Sequence, residues 1–263
     1  MPIKLGQNFL KNNEIVKKIV ESANLKADDL VLEIGPGKGV LTEELAKYAG
    51  KVVAVEIDEN LVKLLFNKFS NNKNVEIICG DILKTNLPEL LGHLMSKSKK
   101  SYKVVANLPY YITSPIIRLF LESKVPPSEM ILMVQKEVAE RITANPGQMS
   151  ILAVSVQYYA DAEILFEVGK ENFDPIPEVD SCVIKITKYK SQSTNKIQST
   201  NFFKIVRAGF SAKRKTLVNN LANSLHLDKN IVEEKLKSLK IKSAARAQEL
   251  SIEKWKEITN LFE

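Results

Sequence analysis

Asn107-Leu108-Pro109-Tyr110 places a side-chain amide, a backbone carbonyl and an aromatic ring within four residues. The exocyclic amine of an adenine is a poor nucleophile, because its lone pair is delocalised into the ring. If the Asn107 side-chain oxygen and the Leu108 carbonyl each accept one N–H, the nitrogen is drawn toward tetrahedral geometry and its lone pair is aimed at an electrophilic carbon. No strong base is required. Pro109 serves this geometry, since it biases Leu108 toward extended φ/ψ and removes a backbone donor that would compete. Tyr110 offers one face for stacking the base. Phe173, in the proline-stiffened stretch Phe173-Asp174-Pro175-Ile176-Pro177-Glu178-Val179-Asp180-Ser181, offers the other. Stacking a base on an aromatic ring contributes roughly 1 to 3 kcal/mol, of the order needed to offset extruding one nucleotide from its stack.

A second set of groups suits a small ligand. Val31-Leu32-Glu33-Ile34-Gly35-Pro36-Gly37-Lys38-Gly39 reads as a strand, a tight turn and a helix start, with glycines at alternate positions where a flat or charged ligand can approach the backbone. The spacing departs from the dinucleotide fingerprint G-x-G-x-x-G, whose third glycine would fall where Val40 stands. The apolar run Val52-Val53-Ala54-Val55 ends in Glu56, whose carboxylate suits a ribose diol. Asp81, after the run Val75 to Cys79, is placed to read an adenine amino group, and Ile57 and Ile82 offer apolar faces to the ring. The ribose contact alone does not separate NAD from S-adenosylmethionine. Lacking a pyrophosphate, S-adenosylmethionine needs no phosphate-binding turn, and its positive charges tolerate a carboxylate such as Glu33. The missing glycine therefore favours it, with an NAD-dependent oxidoreductase as the weaker alternative.

These groups need a frame that brings them together. Asn12 or Asn13 is placed to cap a helix carrying Ile15, Ile19 and Val20, with Asn8 and Phe9 just outside it. A helix through Leu41, Leu45 and Ala46 is expected to end near Gly50, and another covers 60–69. Strands are predicted at 52–56, 75–79, 103–106, 129–135, 162–168 and 181–188, and helices at 114–123, 137–144 and 149–159. Residues 86–101 read as a polar surface loop closed by Lys97-Ser98-Lys99-Lys100. Strands alternating with helices argue an open, largely parallel α/β sheet, in which ligands bind at the carboxyl ends of strands. Four such ends carry Gly35, Glu56, Asp81 and Asn107. The polar stretch Ser191-Gln192-Ser193-Thr194-Asn195 is read as the domain boundary, giving an α/β domain over 1–190 and an all-helical one over 191–263.

The 263 residues are 44% hydrophobic and 26% charged, ordinary globular values, with a net charge of +7. Residues 190–263 hold 15 Lys/Arg against 7 Asp/Glu, so the basic excess is local to the helical part and suggests a polyanion partner there. Cys79 and Cys182 each lie within an apolar run and read as buried thiols in a reducing compartment. No zinc-ligand spacing is present. The start Met1-Pro2-Ile3-Lys4 lacks a signal-peptide pattern and no stretch of 18 residues is apolar throughout, so the expectation is a soluble, cytoplasmic protein without a membrane partner.

Six ordered motifs carry a resemblance: Gly6-Gln7-Asn8-Phe9-Leu10, Glu33 to Gly39, Asn107 to Tyr110, Val134-Gln135-Lys136-Glu137-Val138-Ala139-Glu140-Arg141, Phe173 to Ser181, and Phe210-Ser211-Ala212-Lys213-Arg214-Lys215-Thr216-Leu217-Val218-Asn219-Asn220-Leu221. Together they resemble the KsgA family of small-subunit ribosomal RNA adenine dimethyltransferases, from Gly6 to about Leu221. The resemblance implies a Rossmann-like class I methyltransferase sheet with a small helical C-terminal domain. It implies dimethylation of two adjacent adenosines near the 3′ end of 16S rRNA in the 30S pre-ribosomal subunit, and the chain is expected to act as a monomer. It puts S-adenosylmethionine contacts at Asn8, Leu10, Gly35, Glu56, Asp81 and Asn107, and sets Asn107, Leu108 and Tyr110 against the target base with Phe173 opposite. Lys213, Arg214 and Lys215 are the expected RNA contacts, in a helical setting. Only Lys4 precedes Gly6 where the family often has a basic arm, and the Lys97 to Lys100 loop looks extended. Two further readings stay open. One is a large-subunit methylase of the Erm type, against which stand Leu108, where those enzymes usually have Ile, and the Lys213 to Leu221 motif. The other is a noncatalytic rRNA-binding assembly factor.

Overall fold

A computed structural model describes residues 8–95, 101–189 and 196–262. Lys4, the Gly6-Gln7 end of the first motif, the Lys97 to Lys100 loop and the Ser191 to Asn195 break lie outside the described residues. In chain order the elements are β1 (Phe9–Leu10), α1 (Asn13–Ser22), β2 (Leu30–Ile34), α2 (Val40–Leu45), β3 (Lys51–Glu56), α3 (Glu59–Phe69), β4 (Val75–Cys79), α4 (Leu87–Leu94), β5 (Lys103–Asn107), α5 (Thr113–Leu121), β6 (Glu129–Gln135), α6 (Lys136–Ile142), α7 (Ile151–Tyr159), β7 (Ala160–Val168), β8 (Phe173–Asp174) and β9 (Ser181–Lys188). Four helices follow: α8 (Lys196–Gly209), α9 (Leu217–Leu225), α10 (Lys229–Ser238) and α11 (Ile252–Leu261).

Seven strands form one sheet in the order β4-β3-β2-β5-β6-β9-β7, and the two short strands β1 and β8 pair apart from it. The pairings from β4 across to β6 are parallel, while β9 runs antiparallel to both β6 and β7. Central strands carry continuous apolar stretches, as a sheet covered on both faces requires, and Val31, Leu32, Val53, Val104 and Ile131 are fully buried. From β2 the chain winds through β3 to β4 on one side, then returns to place β5 against the other flank of β2. This reversal opens a crevice at the strand carboxyl ends. Gly35 ends up beside Glu56 in one direction and on the Asn107 side in the other.

The chain groups into two compact units, Met1–Ala139 with Ala160–Lys188, and Glu140–Tyr159 with Tyr189–Glu263. Residues 140–159 group with the C-terminal helices, and aromatic packing accounts for it. The Tyr158 ring stacks on Phe202 with centroids 4.2 Å apart and meets Phe203 edge-on at 5.3 Å. Trp255 is fully buried in this unit and stacks on Phe210 at 5.5 Å. Among the described residues no helix is long and apolar enough to cross a membrane.

Three local expectations are corrected. Residues 87–94 of the expected 86–101 loop form α4, with Pro88 in its first turn and Leu87 and Leu91 buried one helical turn apart. Cys79 is exposed, since it ends β4, the edge strand, whereas Cys182 is buried between β6 and β7. The helix begun at Val40 closes at Leu45, short of Gly50.

Candidate active site

Gly35, Gly37 and Gly39 all adopt left-handed backbone, with φ of 64°, 58° and 74°. Two of them are also constrained by neighbours. A Cβ on Gly37 would stand 3.0 Å from the Phe9 ring of β1, and one on Gly39 would stand 2.7 Å from Leu65 and 2.8 Å from Phe69 of α3. The turn is thus pressed between the N-terminal strand and a helix, and its backbone is left facing the crevice. Lys38 lies with Nζ 4.8 Å from the centre of the Phe9 ring.

Glu56 is buried and held by three backbone donors. Gly37 N donates to Oε2 at 3.1 Å, while Ile57 N and Asp58 N donate to Oε1 at 2.9 and 3.0 Å. A carboxylate has roughly four acceptor positions, so Oε2 keeps one for a ligand hydroxyl. Asp81 Oδ1 accepts from Leu83 N at 3.0 Å, which shapes the loop after β4. Ile82 is buried and Ile57 is half exposed beside it on the rim.

On the other flank, Asn107 ends β5. Its Nδ2 donates to the Asn8 carbonyl at 3.4 Å, and no described residue donates to Oδ1. Leu108 is buried and its N–H donates to the Met133 carbonyl at 3.1 Å, so this residue extends the pairing of β5 with β6, with its own carbonyl unclaimed by any described donor. Pro109 opens a 3-10 turn over Tyr110–Ile112, and the Tyr110 hydroxyl lies 3.0 Å from Ser181 Oγ. Phe173 is buried in β8, where it pairs with Leu10 of β1, and the clasp is completed by Asn12 Nδ2 donating to Asn172 Oδ1 at 2.7 Å. Asn12 also caps α1.

All of this borders one cavity of about 460 Å³, within the usual range of small-molecule sites. Every residue singled out by the sequence for the donor or the base lines it. Leu83 and Tyr111 line it as well, and the sequence reading missed both. Tyr111 is 60% exposed on the rim, and the signal available is the Tyr110-Tyr111 pair itself. Partial desolvation, reinforced by the Asp81 and Glu56 charges, raises the Tyr111 pKa above its ordinary value. Glu33 lines the same cavity at 1% exposure, with Oε2 lacking a hydrogen-bond partner among the described residues. Burial lifts its carboxyl to about 8, opposed by the Thr42 hydroxyl and reinforced by the Glu56 charge.

Lys213, Arg214 and Lys215 belong to the helical unit and are exposed. They occupy a turn between α8 and α9 and not a helix, because Thr216 caps α9 only after them. Asn220 of α9 fastens that turn from inside, its Nδ2 donating to the carbonyls of Gly209 at 2.6 Å and Ala212 at 3.0 Å.

Residues 2–263 match the family described as ribosomal RNA adenine dimethylase. The chain belongs to that family. Proteins named ribosomal RNA small subunit methyltransferase A are similar along nearly the whole dimethylase chain. One from Dehalococcoides mccartyi is 45% identical over 97% of this chain and 86% of its own. Another, from Fusobacterium nucleatum, is 44% identical over 99% of this chain and 97% of its own. Among solved structures, a dimethyladenosine transferase from Plasmodium falciparum aligns with a TM-score of 0.78 at 27% identity, covering 95% of both chains. The 23S rRNA methyltransferase ErmE aligns with a TM-score of 0.75 at 27% identity, covering 97% of this chain and 99% of its own. The dimethylase therefore has the class I methyltransferase architecture, and its methyl donor is S-adenosylmethionine. The cavity fits that donor: Glu56 is preset for a hydroxyl, and the buried carboxyl of Glu33 is among the lining residues.

Proposed function

We propose that this chain dimethylates the N6 amines of two adjacent adenosines near the 3′ end of 16S rRNA, acting as a monomer on the 30S pre-ribosomal subunit in the cytoplasm, as a step of ribosome biogenesis. The observation that carries this reading is the pair of open acceptors, Asn107 Oδ1 and the Leu108 carbonyl, beside a preset carboxylate in one cavity. S-adenosylmethionine supplies the methyl group. Glu56 takes a ribose hydroxyl, Asp81 reads the adenine amine, and Ile57 and Ile82 flank the ring, with Asn8, Leu10 and Gly35 completing the donor side. Asn107 and Leu108 orient the target amine, and Pro109 keeps a competing donor out of the way. Tyr110 and Phe173 wall the base; Phe173, being buried, contributes only the surface that borders the cavity. Residues 1–190 carry this chemistry, and the basic 191–263 region grips rRNA.

The small-subunit assignment is supported by the names of relatives at 44 and 45% identity, against 27% for ErmE. Mass spectrometry of rRNA after incubating unmethylated 30S and 50S particles with labelled donor tests it. Two dimethylated adenosines in 16S rRNA are expected, and methylation confined to 50S particles overturns the assignment. A noncatalytic assembly role predicts RNA binding without label.

Neutralising Lys213, Arg214 and Lys215 together weakens RNA binding while donor affinity stays the same. The slope of log affinity against log salt then falls by roughly 0.7 to 0.9 for each phosphate that the protein no longer neutralises. Filter binding across a salt series checks this, and an unchanged slope assigns these residues to structure alone.

A further inference from the structure

Tyr110 and Ser181 are 71 positions apart in sequence, yet their hydroxyls meet at 3.0 Å. Ser181 is fully buried at the first position of β9, where it pairs with Gln135 of β6 and with Val168 of β7. Strand pairing on both sides fixes its backbone, and full burial leaves its hydroxyl little room. It also closes the stretch that starts at Phe173, whose other end is fixed by the pairing with Leu10. The adjoining Asp180 is fastened twice, its carbonyl accepting from Lys136 N at 3.0 Å and its Oδ1 from Lys170 N at 2.9 Å. Tyr110 stands on a single 3-10 turn, whose bond from Ile112 N to the Pro109 carbonyl orders the backbone and leaves the ring to be set at its tip.

We propose that Ser181 is a positioning residue for methyl transfer: its buried hydroxyl holds the Tyr110 ring in one orientation at the cavity wall, so that the target base meets a stacking face already set. The proposal rests on Tyr110 and Phe173 being the walls of the base site. Without the bond the tyrosine side chain is free to visit other rotamers, and a base already in the cavity meets the Asn107 and Leu108 acceptors in reactive alignment less often. The consequence falls on turnover. Donor binding, on the opposite flank at Glu56 and Asp81, is untouched.

The test is steady-state methyl transfer to unmethylated small ribosomal subunits, with donor affinity measured separately by titration. Ser181→Ala and Tyr110→Phe each lower kcat by roughly 3- to 10-fold, the effect of one neutral hydrogen bond, and each keeps the donor Kd within twofold. The double variant is no slower than either single one, because both remove the same bond. Losses that multiply in the double variant, or either single variant running at the wild-type rate, overturn the proposal. Should Ser181→Ala fail to fold, Tyr110→Phe keeps both the serine and the ring and decides the matter alone. Tyr110→Ala separates the two layers of inference. If removing the ring leaves kcat unchanged, the base-wall reading itself falls; if the ring is needed and the hydroxyl is not, only the role of Ser181 falls.

Discussion

Asn107→Ala slows methyl transfer by about 10² or more, while donor affinity falls by less than about tenfold. The asymmetry follows from where the side chain sits. Its Nδ2 is committed to the Asn8 carbonyl at 3.4 Å, which turns Oδ1 toward the cavity with no described donor of its own. An adenine amine in the ground state is planar and gives such an acceptor only an ordinary hydrogen bond. As the nitrogen pyramidalises and gains positive charge its N–H groups become stronger donors, and the interaction with Oδ1 and with the Leu108 carbonyl deepens. Binding that strengthens on the way to the transition state accelerates the step, and removing one such preorganised partner typically costs 10² to 10³ in rate. Donor affinity suffers less because Glu56 and Asp81, on strand ends across β2 from Asn107, remain in place. Single-turnover transfer to 30S particles, alongside donor titration, checks both halves. Turnover at the wild-type rate would remove Asn107 from the chemistry.

The frame of this site is legible in the sequence because a doubly covered parallel sheet writes its strands as uninterrupted apolar runs. Val52 to Val55 and Val104 to Ala106 stand out on that ground, and the residues that follow them, Glu56 and Asn107, fall where the fold places ligands. The alternate glycines are legible for the same local reason, since each needs a positive φ. What the sequence hides depends on neighbours distant along the chain. Cys79 sits in as apolar a run as Cys182, and only the strand order, with β4 at the edge, distinguishes exposed from buried. Tyr110 and Ser181 meet through the antiparallel insertion of β9 between β6 and β7, which no local pattern encodes. Helix α4 is masked although Leu87 and Leu91 stand one turn apart, because Pro88, Gly92 and the lysines beyond read as loop. The basic turn at Lys213 to Lys215 sits outside a helix because Thr216 caps α9 after it, and that cap is visible in the sequence.

Glu33→Gln makes stability nearly insensitive to a titration that the wild-type chain feels strongly. Burial raises the folded Glu33 pKa from an ordinary 4.5 to about 8, against the opposing Thr42 hydroxyl and with help from the Glu56 charge. Between those two values the folded chain carries a proton at Glu33 that the unfolded chain has released, so each rise in pH favours unfolding. The stabilising difference is intact below the unfolded pKa, declines through the window and levels off above about pH 8. Each unit of separation is worth about 1.4 kcal/mol, so the decline across the window is of the order of a few kcal/mol. Glutamine keeps the neutral, hydrogen-bonding shape and has no proton to lose. Urea unfolding at pH 5 and pH 8.5 should therefore show the variant gaining on the wild type by that amount at the higher pH. A stability difference that stays constant between the two would mean that Glu33 has the same charge folded and unfolded. The same group ties donor binding to proton release. A sulfonium and an ammonium entering the cavity favour the ionised carboxyl, so near neutral pH the wild type gives up a proton as the donor binds, and Glu33→Gln does not. Calorimetric titration in buffers of different ionisation enthalpy reads that proton directly.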